Sequence, residues 1–561
     1  EISFNYLGQL DQAINSLFRP AKESSGSSRD PQGLRQHLLE INCSVVENRF
    51  QTSWVYHKGL HHRSTIEKLV DAYLDALREL IKHSKTTGRQ VYTRSDFPHA
   101  KLTQQEIDRL STQSGRLENV YRLSYTEQEM LRYSLQDRKR GLYFNQFNAR
   151  LRGRIDVRSF EEAWHRVIAR HEALRTAIPD GDMAIRIVYE DARAPCEYLD
   201  WREHTAPEQD KRLSRFLVSD RERGFESAKA PLLRLTLVRL ADESYRFIWS
   251  HHQILLDGWS SPIVLKEFFQ IYECLLRDEK ISLPRAVSYR SYLEWLERQD
   301  AQDAQEAESY WRRRLRGLTE ATPLSLGMEN KDSHDQFIGD AESYGDQRVL
   351  LSETVTSTLR SLARSHRITL NTIVQAAWAA VLSYYSGKED IVFGTTVSGR
   401  AVGLANIDTA VGLFINTLPM RANISVDSPF ADCFGDLQAQ QVALQRFENI
   451  PLNVVQSWSD VPAGSPLFES VLQFENYPID ESLKERNGSL SIEEVMMHER
   501  LHYPITLQAA PGSRLSLRIL FDARRYSAAR IRETLGWLKL TLEKIAACPD
   551  IQVRALPMIN R

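Results

Sequence analysis

Residues 233–276 run strand, turn, strand, loop and helix in close succession. Leu233, Leu235 and Leu237 alternate with Arg234, Thr236 and Val238, a period of two that predicts a strand with one face in a core. Residues 241–244 turn the chain. Tyr245, Phe247, Trp249 and His251 then alternate with Arg246, Ile248, Ser250 and His252, so the two strands are expected to pair as a hairpin. Ser261-Pro262 suits a helix start, and residues 263–276 are an apolar helix. A hairpin feeding a helix needs a covering layer, and strands alternate with helices from residue 117 onward, which together predict a mixed α/β fold. The connecting loop gathers His251, His252, Gln253, Asp257 and Gly258 at a strand-to-helix edge.

The chain has 561 residues, more than one core sustains, so two to four lobes are expected. A net charge of −2 gives no electrostatic footprint for nucleic acid. Arg312-Arg313-Arg314 sits near Glu308 and reads as a solvated helix face. Cys43, Cys196, Cys274, Cys433 and Cys548 lack the short paired spacings of a zinc site or disulfide framework, which fits a reducing, cytoplasmic setting. No apolar run is long enough to span a bilayer, so no membrane partner is expected. His61, His62, His498 and His502 have no carboxylate pattern for a metal, and Gly399 and Gly412 no phosphate loop. The chain begins at Glu1 within strand-like sequence and is expected to be cut from a longer protein.

Residues 1–84 contain strands at 2–9, 39–46 and 50–56, a loop at 22–33, and a helix at 65–83. Ser64 and Glu67 predict a capping box, and Ile66, Leu69, Val70, Tyr73, Leu77, Leu80 and Ile81 form one apolar stripe. The piece is too small and one-sided to be a complete domain. Residues 85–116 read as a linker, with a short helix capped by Thr103 and Glu106. Residues 117–561 are expected to hold two α/β halves, at about 117–290 and 291–561. Among their elements are a helix at 160–171, a strongly apolar helix at 370–384 and a buried strand at 391–394.

The stretch His252-Gln253-Ile254-Leu255-Leu256-Asp257-Gly258 resembles the HHxxxDG signature of nonribosomal peptide synthetase condensation domains, with glutamine at the second histidine position. Five further segments match that family's motifs in order. They are Tyr121–Leu131, degraded at Arg122, Tyr125 and the reversed Glu127-Gln128; Arg170–Thr176; Tyr289, Tyr292 and Trp295, with Ser291 at a usual aspartate; Val411–Thr417; and Pro466–Ser470 with Phe474–Pro478. Tyr503–Leu507 and Ser516–Arg518 fit its closing strands. Residues 4–11, Trp54 and the helix to Ile81 resemble the C-terminal end of an epimerization domain or its condensation-type relative.

The resemblance implies two chloramphenicol acetyltransferase-like lobes in a V-shaped pseudo-dimer around a tunnel. Thioesters would arrive on phosphopantetheine arms of upstream and downstream peptidyl carrier proteins, beside an adenylation domain of the same synthetase, with no cofactor bound directly. The upstream chain, D-terminated if the first segment is an epimerization tail, would pass to the downstream amine. The implied catalytic set is His252, Gln253, Asp257 and Gly258, supported by His251, Trp259, Ser260, Arg175, Arg400 and Asn416.

Gln253 takes no proton near pH 7, but its amide donates to an oxyanion or accepts from an amine. Impaired turnover is therefore expected. A one-residue slip making His251-His252 the pair stays open, though it reverses the strand face. Asp257 reads as structural, neutralised by Arg400 or Arg175; Trp259 as core packing; Gly258 as the residue that permits a tight turn; His171 as a helix-end residue. The main alternative is an inactive platform that docks carrier proteins or tailoring enzymes. An epimerization domain fits less well, a heterocyclization domain lacks its paired aspartates, and a free-standing acetyltransferase needs only about half this length.

Overall fold

A computed structural model describes residues 2–9, 37–46, 49–86, 92–112, 115–136, 141–179, 181, 183–298, 301–324, 344–401, 403–425, 427–476 and 489–556. Asp11, the expected 22–33 loop, Tyr477 and Pro478 lie outside them. The chain divides into two compact units, residues 1–91 and 92–561.

In the first unit, β1 (Ile2–Gln9) runs parallel to β2 (Leu39–Val46), which pairs antiparallel with β3 (Arg49–Tyr56). A helix over Arg63–Thr86 follows. It begins before the expected capping box. The His62 carbonyl accepts from the Thr65 and Ile66 N–H groups at 3.0 and 3.3 Å, so Ser64 lies inside the first turn. Glu67 instead accepts from Arg63 Nε at 2.8 Å. Leu39, Ile41, Cys43 and Ile66 form a small core, while Phe4, Leu7 and Leu80 stay exposed.

The second unit starts earlier than expected. Within the predicted linker, Phe97, Leu102, Ile107 and Leu110 bury themselves against Val120, Ile185 and Ile187. The Tyr92 hydroxyl donates to the Leu117 carbonyl at 2.9 Å, and the Thr103–Glu106 capping box forms. This segment carries enough apolar surface to pack, so it covers a small sheet rather than spanning open solvent.

That sheet joins β4 (Leu117–Arg122), β6 (Thr176–Ala177) and β7 (Ile185–Tyr189) in the order β4-β7-β6; β5 (Phe144–Arg152) belongs to its neighbour. The neighbour also contains β8 (Cys196–Asp200) and the hairpin β9 (Leu233–Ala241) and β10 (Ser244–His252). The hairpin pairs Trp249 with Leu235 and Phe247 with Leu237. Helices Val157–Arg170 and Ser260–Leu276 cover its apolar face, where Trp164 stacks on Phe268 with centroids 4.7 Å apart.

The later half is built on β11 (Tyr344–Leu350), β12 (Asp390–Val397), β13 (Asn416–Asn423), β14 (Ser470–Phe474), β15 (Ser491–His498), β16 (Ile505–Ala510) and β17 (Ser516–Asp522). Six of these form one sheet, β11-β17-β16-β14-β12-β13, backed by helices Leu370–Ser386 and Ala528–Ala547. β15 departs from the expected split at residue 290: it pairs with β5 and completes the earlier sheet as β15-β5-β10-β9-β8. An unpaired β5 edge would leave backbone groups unsatisfied, and β15 closes it.

The first unit repeats the end of the second. β14 runs parallel to β16, β16 pairs antiparallel with β17, and a helix follows, as with β1, β2, β3 and their helix. Ile531, Leu535, Leu538, Leu542 and Ile545 are buried under neighbouring layers, whereas at the matching spacing Ile66 is buried but Leu80 is 68% exposed. Ile545→Ala should therefore cost about 2–5 kcal/mol in denaturant unfolding of its unit. Leu80→Ala should stay within about 0.5 kcal/mol in the same measurement.

Candidate active site

β10 delivers the signature loop. The His251 ring packs on Trp249 in the core, with centroids 4.8 Å apart. His252 Nδ1 accepts from the Ile254 N–H at 3.1 Å, which leaves its Nε2 proton for the Ser134 hydroxyl at 3.0 Å. Burial pushes His251 down to about 4 and His252 down to about 3, so both rings are neutral at pH 7. Gln253 ends the strand geometry in a turn over Gln253–Leu255, and its N–H donates to the Tyr143 carbonyl at 2.8 Å.

Three neighbouring cavities share walls in sequence and mark the line of a passage in this unit. A narrow one of about 50 Å³ shares Gln253, Thr396, Ile415 and Gln473 with a large one of about 780 Å³. On its other side it shares Tyr125, Thr126, Ile415 and Asn416 with a cavity of about 420 Å³. Gln253 thus stands at the waist. His251 and His252 line none of the three, so no slip of register brings the two rings to the passage.

Asp257 binds the two halves together. Its carboxylate accepts from the Ser260 N–H and hydroxyl at 2.8 Å each, the Phe414 N–H at 3.1 Å, and Arg400 Nη2 at 3.2 and 3.3 Å. The Asp257 N–H donates to the Gly412 carbonyl at 3.0 Å. Arg400 Nη1 donates to the Ile407 and Ala410 carbonyls at 2.7 and 3.0 Å, and its guanidinium lies 4.0 Å from the Phe414 ring centroid. Arg175 lies elsewhere, bonded to Glu118 and the Tyr189 carbonyl.

Several expected roles change. Trp259 is half-buried and lines the large cavity instead of packing in a core. Gly258 is not among the residues of positive φ; Gly399 is, at +65°, and a Cβ there would lie 1.8 Å from the Phe414 oxygen. Gly412 meets the Tyr289 ring, where a Cβ would approach to 2.3 Å. Asn416 Nδ2 donates to the Glu448 and Ile450 carbonyls at 2.9 and 2.7 Å while facing the waist. His171 pairs with Glu267 at 2.7 Å.

Glu127 and Arg186 were invisible from sequence as a pair. They form a fully buried ion pair at 2.6 Å, and Arg186 Nη2 donates to the Ile254 carbonyl at 2.7 Å. The Tyr289 hydroxyl joins Glu127 at 3.2 Å and the Leu413 carbonyl at 2.7 Å. Asn145 and Glu499, also unmarked by any local pattern, line the large cavity together with Glu475 of the Phe474–Pro478 motif. Among the described residues no group of His, Cys, Asp and Glu is arranged to hold a metal, and no helix is long and apolar enough to cross a membrane.

Residues 117–561 match the family model described as condensation domain. The chain is 39% identical over its whole length to part of a linear gramicidin synthase from Brevibacillus parabrevis and 30% identical to part of bacitracin synthase 3 from Bacillus licheniformis; it spans 7% and 9% of those proteins. The starter condensation domain of rhizomide synthetase RzmA matches 81% of this chain and 99% of its own at a TM-score of 0.67 and 18% identity. The fold is that of the chloramphenicol acetyltransferase-like condensation domains. The chain belongs to the nonribosomal peptide synthetase condensation family, whose members are amide-forming acyltransferases.

Removing Arg400 leaves a buried carboxylate short of its cation, so Arg400→Ala should cost about 3–5 kcal/mol in denaturant unfolding. The pH dependence has a definite sign. His252 is protonated near 6.5 when unfolded and only near 3 when folded, so the unfolded chain takes up the proton first. Its contribution is full above pH ~6.5 and is lost as pH falls toward 3. His252→Asn, which keeps an acceptor for the Ile254 N–H, should make the acid decline of the unfolding midpoint shallower.

Proposed function

We propose that residues 117–561 join a carrier-bound acyl or peptidyl thioester to the amine of a downstream carrier-bound aminoacyl thioester. The series of cavities with its waist at Gln253 carries this reading, since it offers two tethered reactants a way in from either side. The rhizomide synthetase neighbour in complex with C8-CoA and Leu-SNAC supports it. Phosphopantetheine arms belong to the partner carrier proteins and supply the activated thioesters. This chain supplies confinement. Holding both reactants in attack geometry provides up to about 7–11 kcal/mol. Gln253 Oε1, buried and without a partner among the described residues, can accept from the amine. Asp257, Ser260 and Arg400 act as positioning residues that fix the waist.

The first unit reads as the end of a preceding epimerization- or condensation-type domain. Its repeat of the closing strands and helix supports this, as does its exposed Phe4, Leu7 and Leu80. The full-length match to the gramicidin and bacitracin synthases is consistent with the same order. The donor would then end in a D-residue, with an adenylation domain of the same synthetase adjoining.

A second reading, an inactive platform that docks carrier proteins or tailoring enzymes, is favoured by Gln253 and by the degraded first motif at Tyr121–Leu131. Single-turnover assays with loaded donor and acceptor carriers separate the two. The expected result is slow amide formation, faster with a D- than an L-terminated donor, and about 10²-fold or more faster in Gln253→His. Carrier binding with no product in either form would favour the platform. A wild-type rate equal to that of Gln253→His would defeat the assignment of impairment to Gln253.

A further inference from the structure

The wall of the large cavity holds a half-buried acidic pair outside the signature loop. Glu499 follows β15 directly and Glu475 follows β14. Both face the cavity with Gln253 and Gln508. Gln508 Nε2 donates to Glu499 Oε2 at 3.0 Å and to Gln473 Oε1 at 3.0 Å. The Gln253 side chain also favours the charged form of Glu499. Its Oε1 remains buried, without a partner among the described residues, on the cavity wall. Gln253 is 3% exposed, and this acceptor is left without a hydrogen bond.

We propose that Glu499 takes the proton from the attacking amine, replacing the imidazole that Gln253 does not supply. This rests on the condensation reading above. The amine lone pair forms the C–N bond at the thioester carbonyl carbon. The C–S bond breaks, and its electron pair leaves on the thiolate. The N–H proton passes to the Glu499 carboxylate and then to the thiolate, giving amide and thiol with no change in net charge. Glu499 is favoured over Glu475 because Gln508 fixes its carboxylate on the wall that Gln253 shares.

The surroundings suit the task. Burial and repulsion from Glu499 push Glu475 up to about 7, against the pull of Arg518 and Arg348. Burial raises Glu499, against the pull of Arg518 and the hydrogen bonds from Gln508 and Gln253. His498, the neighbour on β15, is held neutral by burial and by Arg221, Arg500 and Arg518. A carboxylate whose pKa is raised is a stronger base than a free one.

The test is single-turnover condensation across pH, with loaded carriers and the whole chain. Glu499→Gln keeps the shape and an acceptor for Gln508, so a merely structural role predicts little change. Proton transfer predicts a loss of about 10²–10⁴-fold. The loss should be smaller in the Gln253→His background, where an imidazole is restored. Glu475→Gln should retain activity and leave the rising limb of the rate profile in place, because the repulsion within the pair falls on Glu475 and not on Glu499. An active wild type with unchanged Glu499→Gln rate, or a limb lost or moved in Glu475→Gln, overturns the role of Glu499 alone. No condensation by wild type overturns the parent reading with it. A Glu499→Gln chain that fails to unfold cooperatively leaves the Glu475→Gln profile to decide.

Discussion

Asp257 sits buried between the two halves of the second unit, and the shape of the passage depends on what its carboxylate holds. Desolvating such a charge costs several kcal/mol, which only good geometry and full hydrogen bonding offset. Here the donors come from both sides: Ser260 from the signature helix, and Phe414 and Arg400 from the later half. Arg400 donates in turn to two carbonyls of the loop it anchors. The stretch around residues 400–414 and the loop after β10 therefore have one mutual position, and the narrow point between them is set.

The Glu127–Arg186 pair acts as a second fastening on the same loop, through the Ile254 carbonyl. With both sides held, the large cavity keeps charged side chains such as Arg348 and Arg518 in its wall beside the Gln253 amide. The signature histidines are neutral and line none of the three cavities. Chemistry in such a place leans on confinement and on fixed hydrogen-bonding groups more than on a single strong base.

Much of the framework was legible in the residues. The β9–β10 hairpin, the helix after it, the apolar helix near 370 and the capped helix at Thr103 all follow from local periodicity and capping chemistry. Of the site, the loop, its Gln253 and the choice of Arg400 or Arg175 beside Asp257 were readable; only coordinates chose Arg400. What failed had one cause in common. The Ser64 cap, the free linker, the boundary at 290 and a core Trp259 were local readings of matters settled by distant partners. β15 reaches across to β5 because an open sheet edge needs pairing, and no periodicity within residues 491–498 records that.

The sequence by itself determined the α/β class, the order of elements, the family and the glutamine at the second signature position, because each is written in spacing over a few residues. Tertiary structure alone decided which side chain faces the passage, which arginine meets Asp257, and that Glu475 and Glu499 stand beside Gln253. Those facts depend on strand register and on contacts between residues more than 140 positions apart, such as Arg400 and Asp257. Short-range pattern carries no term for such contacts.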